Sequence, residues 1–181
     1  AARALELDPA NSDAEVARAT LIPFYGNWAQ AEAEMRKVYR RHPQAIEFHM
    51  ARLLAQTGRL REALGHAGRA VANDPEVPRW LNFLGALLWD AGRLEEAERS
   101  FDTALARWPR HVLLWFNRFE FLASTGRPRA AIAFAADHGR RPTGIPDRRF
   151  ELMTAKARAL ASGAATDITR PVGEVNATLP K

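Results

Sequence analysis

Five histidines, His42, His49, His66, His111 and His138, are where a metal site or an acid–base centre would have to start, and their spacing builds neither. No two form a His-x3-His pair that would set both imidazoles on one helix face, and no carboxylate stands at ligand spacing. His42 and His111 flank prolines, where polar surface residues belong. Cysteine is absent, which removes disulfides, thiolate zinc sites and a cysteine nucleophile. No Gly-x-Ser-x-Gly elbow, Walker loop or dinucleotide fingerprint occurs. Asn176-Ala177-Thr178 matches a glycosylation sequon, a triplet that arises by chance. No enzyme activity, metal or cofactor is therefore expected. What remains is the chemistry of recognition, carried by aromatic, amide and arginine side chains.

Charge narrows the partner. Basic residues number 26 against 21 acidic ones, for a net charge of +5, and only Lys37, Lys156 and Lys181 are lysines. Residues 36–69 are rich in arginine, whereas residues 74–102 carry Asp74, Glu76, Asp90, Glu95, Glu96, Glu98 and Asp102 against three arginines. Alternating patches suit a protein surface better than a continuous phosphate track, so nucleic acid is disfavoured. No apolar run approaches the ~18–20 residues of a membrane helix, and no membrane partner is expected. The composition points to a cytoplasmic bacterial protein.

The elements that position these groups announce themselves by punctuation. Thr57-Gly58-Arg59-Leu60-Arg61-Glu62-Ala63, Ala91-Gly92-Arg93-Leu94-Glu95-Glu96-Ala97 and Thr125-Gly126-Arg127-Pro128-Arg129-Ala130-Ala131 repeat at 34 residues. A weaker copy, Tyr25-Gly26-Asn27-Trp28-Ala29-Gln30-Ala31, precedes the first by 32. Pro9, Pro43, Pro75 and Pro109 close the same units. Glycine permits the tight turn out of a first helix, the small residue five positions later lets two helices approach, and proline ends the unit. A fixed period of this length is the signature of stacked helix pairs.

Residues 78–111 resemble the tetratricopeptide repeat, Trp-x2-Leu-Gly-x2-Tyr…Ala-x3-Phe…Pro. Leu81 stands in the Trp slot, Leu84-Gly85 in the Leu-Gly slot and Leu88 in the Tyr slot, followed by Ala97, Phe101, Ala104 and Pro109. Residues 44–77 resemble it through Met50-Ala51, Leu54, Ala63, Ala67, Ala70 and Pro75, and residues 12–43 through Ala19, Ile22, Ala31, Met35, Val38 and Pro43. A fourth unit, 112–141, keeps Trp115, Leu122, Gly126 and Ala131, then decays. The resemblance implies an all-α fold, a right-handed α-α superhelix (TPR solenoid) of antiparallel helix pairs over residues 1–161. It begins with a half repeat at 1–11 and ends with a C-terminal capping helix at 147–161 that Asp147 would cap. Residues 162–181 read as an extended tail. The half repeat leads us to expect a piece of a longer polypeptide.

The family geometry also implies a groove lined by the first helices. Its slots hold Phe48, His49, Arg52 and Gln56, then Arg79, Asn82, Phe83, Trp89 and Asp90, then Leu113, Phe116, Asn117, Glu120 and Ser124. The first unit offers Asp13, Val16, Thr20 and Phe24. We expect Phe48, His49, Arg52, Arg79, Asn82, Trp89, Phe116, Asn117 and Glu120 to form the partner-binding groove, since aromatics mixed with amides and arginine make hot spots. The competing account has Phe48, Phe83 and Phe116 simply packing between neighbouring first helices. An amide or charge gains little from core packing, so it fits the polar members less well. The two-carboxylate clamp of chaperone-tail-binding members is not supported, because no first helix carries a lysine. Glu32/Arg36 and Glu95/Arg99 read as i,i+4 pairs on solvated faces, and Trp28 as a staple for the first unit.

Three functions are consistent with this pattern. The first is an interaction module binding a protein, peptide or partner helix in the groove, within a larger bacterial regulator. The second is a non-catalytic accessory region of a larger enzyme of glycosyl- or sulfotransferase type. The third is self-association through residues 1–9.

Overall fold

The repeated glycines do the work their spacing implies. In the computed structural model, which describes residues 1–22 and 27–163, Gly58, Gly92 and Gly126 have φ of 79°, 73° and 77°. Each ends a first helix in the left-handed conformation, and the next amide reaches back over the last turn. Arg59 N donates to Leu54 O at 2.9 Å, Arg93 N to Leu88 O at 2.9 Å, and Arg127 N to Leu122 O at 3.1 Å. Tyr25-Gly26, Phe24 and the tail from residue 164 lie outside the described residues.

Every regular element among the described residues is helical: α1 (Ala2–Leu7), α2 (Ser12–Thr20), α3 (Trp28–Arg41), α4 (Pro43–Gln56), α5 (Leu60–Asn73), α6 (Pro78–Asp90), α7 (Leu94–Arg107), α8 (Val112–Ser124), α9 (Pro128–Ala136) and α10 (Asp147–Ser162). Pro43, Pro78 and Pro128 open α4, α6 and α9, at the one helical position where a missing N–H costs nothing. The chain divides into two compact units, Ala1–Ser100 and Phe101–Lys181.

In the first unit, Met35, Ile46, Met50, Leu53, Leu54, Ala63 and Ala67 share one core. The alanines at 31, 63 and 67 are sealed from water and let α3, α4 and α5 approach closely. The unit also buries charge. Glu15 and Glu47, each 3% exposed, occupy the slot that holds Leu81 in the next repeat. Glu47 is gripped by His66 Nδ1 at 2.5 Å and by Arg69 Nε at 2.7 Å, with Tyr39 Oη at 3.4 Å. Glu15 lies 3.0 Å from Arg41 Nη1 and 3.3 Å from His42 Nε2. Thirty-four residues after His66, Ser100 Oγ instead donates to Leu81 O at 2.9 Å.

Glu32 departs from the expected solvated pair. It is 9% exposed and accepts from Arg36 Nε at 2.7 Å, and also bidentately from Arg59 at the start of α5. The pairing with Arg59 holds its carboxyl below the usual range against the opposing effect of burial, with Arg36 adding to the lowering. Sequence spacing showed only the partner on its own helix. Trp28 does not staple its unit: it is 51% exposed and, with Gln56, Thr57 and Arg59, borders an open recess of about 460 Å³.

The second unit is an aromatic core. Trp115 stacks on Phe119 at 5.9 Å and on Phe134 at 5.1 Å, and meets Phe150 edge-on at 5.0 Å. Phe119 stands where the repeat pattern places glycine, so this pair fills with a ring the space that the small residue normally leaves. Helix α9 stops at Ala136, and Arg141 folds back to donate to Ala135 O at 2.7 Å while its guanidinium sits 4.8 Å over Phe150. That clasp directs the chain into α10. Asp147 does not cap α10: it is the first helical residue, 88% exposed at its side chain, and lies 3.8 Å from Arg141 Nη1.

Candidate functional site

On α4, Phe48 and His49 are consecutive and Arg52 follows one turn on; on α6, Arg79, Trp80 and Phe83 follow the same helical spacing. Phe48 is 8% exposed, with its ring 4.0 Å from Trp80 and 5.2 Å from Phe83. It thus packs between neighbouring first helices, as the competing account required. Arg79 is exposed, and its guanidinium lies 4.8 Å over Phe48 and 5.0 Å over Trp80. Trp80, which holds none of the expected groove slots, completes this aromatic platform. The one signal for it was its position beside Arg79.

His49 meets Phe48 edge-on at 5.6 Å, and its Nδ1 is sealed from water with no hydrogen-bond partner. Burial lowers its pKa to about 4, assisted by the positive charges of Arg52 and Arg79. The imidazole is therefore neutral near pH 7, and the positive charge beside it comes from Arg52 and Arg79. A recess of about 160 Å³ opens beside it, bordered by Ala45, Phe48, His49, Ala70, Asp74 and Trp80. Asn82 is 6% exposed, so its amide lies within the helix packing rather than on open surface. Trp89 is half-buried near the end of α6.

In the second unit the groove positions meet α10. Phe116 stacks on Phe150 at 6.3 Å, and Arg149 lies 4.3 Å over the Phe116 ring. Glu120 accepts from Lys156 Nζ at 2.5 Å. Asn117, half-buried, stands between them on α8. The two units therefore differ: the first presents Arg79 on an aromatic bed with no ion pair among the described residues, while the second has Phe116 and Glu120 engaged by α10. Among the described residues, no cluster of histidines and carboxylates has the grouping to hold a metal, and no helix is long and apolar enough to cross a membrane.

This helix-pair geometry has counterparts among known proteins. A family model described as tetratricopeptide repeat matches residues 48–102 and 84–145. The chain is 26% identical over 132 residues to the photosystem I assembly protein Ycf3 of Synechococcus elongatus, covering 60% of this chain and 76% of that protein. Among solved structures, PilW, a type IV pilus biogenesis factor, superposes with a TM-score of 0.76 at 19% identity, over 97% of this chain and 81% of its own. YrrB, a TPR protein with an unusual peptide-binding site, superposes with a TM-score of 0.64 at 13% identity, over 96% of this chain and 89% of its own. The matched residues span more than half of the chain, which belongs to the tetratricopeptide repeat family and has its all-α superhelix fold of antiparallel helix pairs.

Proposed function

We propose that the chain is a protein-interaction module that holds a peptide or partner helix against its first helices, as part of a larger bacterial regulatory protein. The observation that carries this reading is the α4–α6 face, where Arg79 lies exposed over Phe48 and Trp80 beside His49 and Arg52. An arginine bedded on aromatic rings is the composition of a binding hot spot. Ycf3 is an assembly protein and YrrB has a peptide-binding site, and both precedents support a role in holding other proteins. In the second unit, Asn117 is the candidate contact, with Phe116 and Glu120 already engaged by α10.

Photo-crosslinking from the first helices tests the reading. A benzophenone amino acid at Arg52, Trp89 or Asn117 should capture a partner in cells, whereas the same probe at exposed Arg61 or Arg99 on the second helices should not. Equal capture from the second helices moves binding to the other face.

Self-association is favoured by a separate observation. Helix α1 buries none of its residues, and Leu7 is 74% exposed. Light scattering should then show a mass that rises with concentration and falls to monomer on deleting residues 1–9. A constant mass removes this reading.

A further inference from the structure

On the α4–α6 face, the charge of Arg79 is paired by no described residue. Arg79 makes no ion pair and no hydrogen bond among the described residues; its contacts are the rings of Phe48 and Trp80. A guanidinium held over aromatic rings keeps its N–H edge available, and that edge matches a carboxylate. The one carboxylate bordering the adjoining recess, Asp74, accepts from the backbone N of Glu76 at 3.3 Å instead. The recess measures about 160 Å³, room for one ring-sized side chain, with Phe48, Trp80 and Ala45 on its apolar side and Gln44, Asn73 and Asp74 on its polar side. It therefore suits one large side chain rather than a free-standing ligand.

We propose that this face reads a partner segment in which a large apolar residue is followed by an aspartate or glutamate. The apolar side chain enters the recess against Phe48 and Trp80, and the acidic side chain accepts from Arg79, with Arg52 adding positive field. The proposal rests on the interaction reading above and names the chemistry of its ligand. His49 stands beside it as a reporter: burial keeps this imidazole neutral, and the charges of Arg52 and Arg79 add a smaller lowering that an incoming carboxylate would offset.

The test uses the full chain and short fluorescent peptides, acetylated and amidated at their ends, with a central Phe-Glu pair in a Gly-Ser context. The Phe-Glu peptide should bind about tenfold more tightly than Phe-Gln, the effect of one charge-assisted bidentate contact. It should also bind more tightly than Ala-Glu. Arg79→Gln should erase the Glu preference without moving Tm, and the His49 ring resonances should titrate at higher pH in the complex. Equal affinity for Phe-Glu and Phe-Gln, or a Glu preference that survives Arg79→Gln, overturns the proposal. A peptide ending in Phe with a free carboxylate that binds while Phe-Glu does not would assign the site to a chain terminus and overturn it equally. Partner crosslinks from Arg52 and Trp89 that persist alongside such a result leave the interaction reading standing and remove only this one.

Discussion

Glu47 offers the sharpest test of how the repeats are held together. Its carboxylate is 3% exposed and makes two short contacts, to His66 at 2.5 Å and Arg69 at 2.7 Å. A hydrogen bond to a charged group contributes about 1.5–3 kcal/mol. The Arg69 contact belongs at the low end, because half of that side chain is in water and solvent replaces the lost partner. His66, only 11% exposed at its side chain, loses the carboxylate and keeps only Arg69 Nη2, 3.0 Å from the same ring nitrogen. Truncation also removes buried methylene area at about 0.8 kcal/mol per group. Glu47→Ala should therefore cost about 3–4 kcal/mol, a drop in Tm of roughly 10 °C for a chain of this size. The next repeat supplies the rescue, since the same two slots there hold Leu81 and Ser100. Glu47→Leu alone leaves His66 Nδ1 with only Arg69 Nη2, at 3.0 Å. Adding His66→Ser should recover about 1 kcal/mol or more, because the polar group that lost its partner is gone. Urea unfolding followed by circular dichroism would measure both. If Glu47→Ala costs under about 1 kcal/mol, or His66→Ser further destabilises the Glu47→Leu protein, the buried network is not what secures this repeat.

Other outcomes follow from the same structure. Gly92 has φ of 73° and open space where a Cβ would stand, so Gly92→Ala should cost about 1 kcal/mol through backbone strain alone, read as a lowered urea midpoint. His49 is held neutral in the fold with its pKa lowered to about 4, so the unfolded chain binds the extra proton between about pH 4 and 6.5. Stability should be complete above pH 6.5 and decline towards pH 4, and His49→Gln should flatten that part of the urea-midpoint profile. Glu32 has a lowered carboxyl pKa, so its contribution is present above the usual carboxylate range and is lost as pH falls through its folded value. Arg59→Gln should cost about 1–2 kcal/mol at pH 7 and less in acid, where the wild type has surrendered the same bond.

Much of the fold was legible because its devices are local. A glycine turn involves five or six consecutive residues, so Gly58, Gly92 and Gly126 could be read from spacing, whereas Pro43, read as closing its unit, is the first residue of α4. The site was legible only in outline. Phe48, His49, Arg52 and Arg79 stand on faces that the period assigns, yet the period could not distinguish an exposed Arg79 from a buried Asn82, both in groove slots. Nor could it show that α10 engages Phe116 and Glu120, because the contacting residues Arg149, Phe150 and Lys156 lie beyond the loop where the repeat loses register.

By itself the sequence determined the helix pairs, their turns and the family to which they belong, since each depends on residues within one period. Tertiary structure alone decided where charge is buried and where it is free. Glu47 in a tryptophan slot is tolerable because His66 and Arg69 reach it across the helix pair, whereas Arg79 lies over Phe48 and Trp80 with no ion pair among the described residues. Desolvation and pairing depend on distance through space, and a linear pattern carries no measure of that distance.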